Sequence, residues 1–545
     1  TTLFRSTNDS VSGNGVSIAT SLISGGGDIF VAGHNTNGST SNWLSGVQHY
    51  SGHIKSGIGK IFVEGETNGS GSYNFGVQLG QQAINGSTTW EISNANTESD
   101  AITINGSGAG NTGTSSGGIV TWDKNSTGVA GLRVANTATG GIIMTGRGSA
   151  GHNASSGTDG ITLNNSQILA LSGNITLNGY TNGTNGNRGI TVGRRNIAGD
   201  LTIGYKAGVS VDGVSMAAST SDITLNADSL GFNLAATASL TSNIATTGDV
   251  TILPTSTGFN GSYFSLKNLT FSADTSSLTI GSASNTAAIE IDNMSPTVIN
   301  GPISVTAGNI TVNNGYGFKS TLAGAAMTFK STENFNAPNG SSTAQSGSAT
   351  FVTNNGPLTI WTDSDGNGIG NLYFGSYATA NTANGSISQA TGGGRITMAG
   401  GNAVDSDGFP TGFASAGNTA NTRGLVIGRL NPIYSGGGDI VIRGRSSQTN
   451  RGVEIWSGTT INSGQGSILI DGRNTNAAAH TAVAIAEGAN SYSENTTIRS
   501  AKTTGSAVTI NANSTAGWGL EMWQGPGNTW GAVVAATGGG SIDIT

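Results

Sequence analysis

The segment Asp363-Ser-Asp365-Gly-Asn367-Gly sets side-chain oxygens at alternate positions before a glycine, like the first half of a calcium-binding loop. Carboxylate and amide oxygens at that spacing suit a hard cation, so Asp363, Asp365 and Asn367 are the candidate ligands for Ca2+. Position twelve of such a loop, where a bidentate glutamate closes the site, is Phe374. An Asx-turn at a loop tip therefore competes with the cation reading. No other cofactor is expected.

A second chemistry lies in the tryptophans. Trp456 and Trp523 hold the same slot in GVEIWSG and GLEMWQG, with Trp530 close behind. Facing outward, these rings would stack on sugars; packed under a loop or against a neighbouring subunit, they would be interface aromatics. Catalysis finds less support. Asp28, Asp200, Asp222, Asp249 and Asp439 are scattered, each just before an apolar run, which is a corner position. His34, His49, His53, His152 and His480 read as solvated turns, without a partner acid beside the close pair His49 and His53. No acid–base or triad grouping is visible, and the chain has no cysteine, which excludes disulfides and thiolate chemistry. A non-enzyme is expected.

What must position these residues is a recurring word. GGGDIVIRG spans Gly436 to Gly444, and it returns as GGGDIFVAG at Gly25, GKIFVEG at Gly59, GNITLNG at Gly173 and GSILIDG at Gly466. Alternating apolar residues flanked by glycine predict one short strand. Aligned on the first apolar position, the copies run Ile29, Ile61, Trp90, Ile119, Ile142, Ile175, Leu201, Ile223, Val250, Leu278, Ile303, Met327, Leu358, Ile396, Ile440, Ile468, Ile498 and Ile542. A second word keeps step with the first, through Val16, Val47 and Val77 and again through Leu425, Val453 and Val483. No helical period is sustained, and a propeller needs four strands in ~40–50 residues. The prediction is an all-β fold, a parallel right-handed β-helix solenoid of roughly 18 coils, each of about 22–33 residues. At the strand spacing this is a rod of ~85 Å.

Residues 1–545 are expected to form one continuous solenoid. Coils with long polar loops occupy 1–220, tighter coils 221–330, coils with longer insertions 331–440 and regular coils 441–545. The widest intervals place the expected functional face between residues 360 and 440. The word I-T-[LIV]-N at Ile102, Ile161, Ile175, Ile223 and Ile310 predicts Thr outward and Asn at a corner, where asparagines could form hydrogen-bonded ladders. Arg443 and Asp471, 28 residues apart, could pair across neighbouring coils.

Charged residues are 9% of the chain, against roughly 25% in ordinary soluble domains. With 8 prolines and end-to-end apolar alternation, the composition argues for a folded repeat array and against disorder. A net charge of −7 gives no support to nucleic-acid binding. No apolar run approaches the ~18 residues of a membrane span. The chain opens at Thr1 without a methionine, consistent with a removed leader or a segment of a longer protein.

The words GNITLNG and GPISVTAGNITVN, the latter from Gly301 to Asn313, resemble the repeats of large bacterial surface exoproteins. These are the filamentous-haemagglutinin-type two-partner-secreted proteins and the passenger regions of autotransporter adhesins. The likeness is one of repeat style across the chain; the words NPNL and NPNG of the two-partner family are absent. It implies a right-handed β-helix shaft at the bacterial cell surface or outside the cell, serving adhesion, aggregation or biofilm matrix. Its partners would be other copies of itself, associating head-to-tail or laterally, or cell-surface or glycan receptors. The alternatives are a self-polymerising extracellular filament subunit and, third, a polysaccharide-active β-helix enzyme.

Overall fold

The computed structural model describes residues 2–8, 13–69, 71–80, 90–108, 116–121, 132–149, 159–181, 188–192, 201–232, 242–260, 264–292, 297–339, 348–417, 423–477, 480–487, 494–524 and 531–545. The fold is an all-β parallel β-helix solenoid, in two compact units, Thr1–Ser282 and Ala283–Thr545. Strand formation follows the pleat. In Ile61–Gly69 and Ile223–Ala227, buried residues alternate with more exposed ones, so each apolar-x-apolar word puts its branched side chains on one face.

In the first unit the coils that open at Ile29, Ile61, Ile102, Ile142, Ile175 and Ile223 each pass through three sheets. Ile29–Ser39 leads to Ser45–His49 and His53–Lys55; Ile61–Gly69 leads to Phe75–Leu79 and Trp90–Asn94. The first sheet stacks in register as Ile29, Ile61, Ile102, Ile142, Ile175, Ile223, Val250 and Leu278. Trp90, Ile119 and Leu201, aligned above with this series, belong to other faces. Trp90 lies opposite Leu132 in the third sheet, Leu201 opposite Ser242 there, and Ile119 between Val77 and Ile161 in the second. The physical reason is that all three faces use the same alternating word, so the pattern reveals a strand without revealing its face. Some coils are accordingly longer than expected, Ile61 and Ile102 being neighbours across 41 residues, while others such as Ile223 to Val250, 27 apart, keep the expected length.

The second unit repeats this plan. Its first sheet stacks Ile303, Met327, Leu358, Ile396, Ile440, Ile468, Val508 and Ile542, while Ile498 sits in the third sheet between Ile461 and Val534. The second word forms its own ladders as expected, Val16 on Val47 on Val77 and Leu425 on Val453 on Val483. The interior is Ile, Val and Leu in most coils, but Phe318, Phe329, Phe335, Phe351 and Phe374 form a fully buried group with ring centroids 5.0–5.9 Å apart. Asparagine ladders do occur, with Asn226 Nδ2 donating to Asn178 Oδ1 at 2.7 Å and Asn136 to Asn94 at 2.7 Å.

The closing glycine of each word has a role beyond turning. In the first unit Gly33, Gly65, Gly106, Gly146 and Gly179 stack in register, and each faces the glycine that opens the next strand. A Cβ on Gly65 would lie 1.9 Å from the carbonyl oxygen of Gly76, and one on Gly146 2.0 Å from that of Gly160. The first and second sheets therefore meet backbone to backbone. The lead-in glycines are fixed by a second device. Three residues ahead of Gly59, Gly356, Gly438 and Gly466 stands Ser56, Thr353, Ser435 or Ser463, whose hydroxyl donates to the glycine carbonyl.

Two additions leave the regular path. In the first unit Ser210–Val211 and Val214–Ser215 form an antiparallel hairpin over the third sheet. Val211 packs with Ala135, Leu169 and Met216, and Asp212 at its tip meets Lys55 at 2.5 Å. In the second unit, Ile396–Val404 turns back through Pro410–Gly412, and Ala414–Ala416 pairs antiparallel with Ile369–Gly370.

Gly146→Ala should lower stability by ~1–3 kcal/mol, because the methyl has nowhere to go, whereas Gly25→Ala, with open space around it, should be near neutral. Denaturant midpoints measure both. His49 closes the strand Ser45–His49 fully buried, and desolvation lowers its pKa from 6.5 to about 4. The unfolded chain therefore binds the proton first, and stability falls as pH drops from 6.5 through about 4. His49→Leu should lose that part of the slope, seen by comparing denaturation midpoints of both proteins at neutral and acid pH.

Candidate ligand-binding face

The outward side of the second sheet in the second unit gathers charged and aromatic side chains from several coils. Its strands include Leu425–Ile427, Val453–Trp456, Val483–Glu487 and Leu520–Met522, with Leu425, Val453 and Val483 turned inward. Between these inward residues the pleat points Val426, Glu454, Ala484 and Glu521 outward in one column. Two residues before each first inward position stand Arg423, Arg451, Thr481 and Trp518. A third column follows with Trp456, Glu487 and Trp523; a bulge at Ala486, whose φ is 65°, brings Glu487 opposite Trp456.

Charges on this face are matched across coils. Arg423 Nε engages the buried carboxylate of Glu454, which also accepts Trp456 Nε1 at 2.7 Å. Arg451 lies 2.6 Å from Glu487 and 4.0 Å from Glu521, and Thr481 Oγ1 donates to Glu521 at 3.0 Å. Burial raises the Glu487 carboxyl above its ordinary range and lowers the Arg423 guanidinium below its own. Arg423, Arg451, His480, Trp518, Glu521 and Trp523 line a groove of about 740 Å³. Trp518 is 69% exposed and Trp523 41%.

The tryptophans named from sequence divide accordingly. Trp523 lies in the groove. Trp456 keeps the same slot two coils away but is half-buried, edge-on to Tyr373 at 6.3 Å and beneath the Arg429 guanidinium at 5.8 Å. Trp530 lies outside the described residues. Sequence reasoning missed Arg423, Arg451 and Glu521 and left Trp518 without a site role. The signal was present as a repeated slot: RGLVI, RGVEI, TAVAI and WGLEM are the same word with the outward residues changed.

Asp363, Asp365 and Asn367 do share one turn, within the second unit. Asp363 Oδ1 accepts the Gly368 amide at 2.8 Å and its Oδ2 lies 3.8 Å from Arg445; Asp365 accepts Asn367 Nδ2 at 2.8 Å, and Asn367 accepts the Ile369 amide at 2.7 Å. Burial raises the Asp363 carboxyl above its ordinary value. Among the described residues there is no group of three or more His, Cys, Asp or Glu able to hold a metal ion. The hydrogen bonds to the Gly368, Asn367 and Ile369 amides are those of an Asx-type turn. The related DSDG at Asp405 tips the hairpin, with Asp405 2.8 Å from Arg395.

Other residues named from sequence are spread over the coils. Asp28, Asp222 and Asp439 each accept the amide of the equivalent corner one coil on, at 2.8, 3.0 and 2.7 Å, while Asp200 lies outside the described residues. His34 stands 3.2 Å from Glu66 of the next coil, and His49 is buried in its strand, so neither is a solvated turn; His152 is outside the described residues. Arg443 and Asp471 are opposite one another in register, but the carboxylate pairs with Arg473 at 3.7 Å.

Comparison with family models, with curated proteins and with solved structures gives no match.

Removing Glu454 should be costly because it strips a buried carboxylate from Arg423. Glu454→Ala is expected to destabilise the chain by about 1–3 kcal/mol. The double variant with Arg423→Ala should cost less than the two singles added, as a double-mutant cycle of unfolding free energies would show.

Proposed function

We propose that this chain is a structural, adhesive β-solenoid of an extracellular bacterial surface protein. The observation that carries the reading is an outward groove with two exposed indoles, carried on stacked coils of the second unit. In the first unit, Thr176, Thr224, Thr251 and Thr279 stand in register along the first sheet and offer water a uniform hydroxyl surface. Such a scaffold holds side chains from successive coils at the fixed ~4.8 Å strand spacing, which suits recognition of an extended ligand. The resemblance of the repeat words to surface exoproteins supports the same reading.

The test is attachment. Purified full-length chain, fluorescently labelled, should coat bacterial or host-cell surfaces saturably while remaining dispersed in electron micrographs. Uniform fibres without surface attachment would replace this reading by a polymerising filament. Release of reducing ends from acidic polysaccharides would replace it by an enzyme.

A further inference from the structure

We infer that the groove bounded by Trp518 and Trp523 is a binding site for a neutral oligosaccharide running along the stack of coils. The inference rests on the adhesive reading and names its ligand. Three features of the site carry it.

The first is shape. The columns Arg423, Arg451, Thr481 and Trp518 cross four coils, a length of about 14 Å at the strand spacing. That is longer than one pyranose ring, and the groove of about 740 Å³ is open rather than a closed pocket for a small molecule. The second is aromatic. Indoles that are 69% and 41% exposed leave apolar faces in water, where the C–H face of a sugar ring can cover them.

The third feature is that the charges are engaged with one another. Each guanidinium of the groove is already engaged by a carboxylate, Arg423 by Glu454 and Arg451 by Glu487, with Glu521 held by Thr481 and Arg451. No guanidinium is left free for an anion, and the third carboxylate, Glu521, already accepts the Thr481 hydroxyl. The planar, fixed guanidinium and carboxylate edges instead offer paired donors and acceptors to vicinal hydroxyls. A polyhydroxylated, uncharged ligand satisfies all three features.

Calorimetric titration of the full chain with a panel of neutral hexose tetrasaccharides tests this, with the matching uronate tetrasaccharides alongside. At least one neutral member should bind. Trp518→Ala combined with Trp523→Ala should weaken it about tenfold or more, with an unchanged thermal midpoint because both rings are exposed. Tryptophan-to-phenylalanine variants should recover part of the affinity. Preference for the uronates, neutral binding untouched by the double substitution, or no binding by any sugar would overturn the assignment. If the wild-type chain coats cells while binding none of the sugars, the groove assignment fails and the adhesive reading stands. Failure to coat cells removes the adhesive reading itself.

Discussion

The contact on which the first unit depends is between backbones. Where the first sheet meets the second, a glycine Cα rests against the carbonyl of another glycine, and this repeats from Gly33 through Gly179. With no side chain at the seam, the two sheets close to a distance that methyl groups would forbid. Only then do the inward Ile, Val and Leu of both sheets bury one another in the space between them. The seam also explains the closing glycine of the repeated word. A chain that merely needed to turn could have used Asn or Asp there; a chain that needed its backbone in contact could not.

Much of the fold was legible in the residues. The alternating words are strands, they stack in parallel, and the second word forms the ladders that its spacing implied. What spacing could not convey was the face. Trp90, Ile119, Leu201 and Ile498 carry the same apolar alternation as Ile102 and Val508, because the interior is equally apolar behind every sheet. Only strand pairing across loops of unequal length separates them. A cue did exist in the closing glycine, which Ile61 and Ile142 have four positions on and Leu201 lacks.

The binding face shows the complementary difficulty. Trp456 and Trp523 occupy one slot of one word, and the structure keeps them in one column, yet only Trp523 opens onto the groove. The difference is made by neighbours from other coils. Tyr373, Glu454 and Arg429 close around Trp456 in mid-stack, whereas Trp523 follows Leu520–Met522, the end strand of its sheet, and lines the groove with Arg451, His480 and Trp518. Outward residues are under no packing constraint, so their periodicity is weak and their chemistry emerges only when coils are stacked. The turn Asp363–Gly368 is the reverse case, a strong local pattern whose oxygens the backbone itself employs.

The parallel register has a mechanical consequence. Within each unit the inter-strand hydrogen bonds point from one coil to the next, along the direction of stacking. Tension applied along that direction loads one rung of bonds at a time, so the array opens coil by coil like a zipper. Tension applied across it, along the strands, loads a whole ladder in shear and meets far greater resistance. The hairpin tip at Asp212 reaches Lys55 from 157 residues away and ties several rungs of the first unit together, acting there as a clasp against peeling.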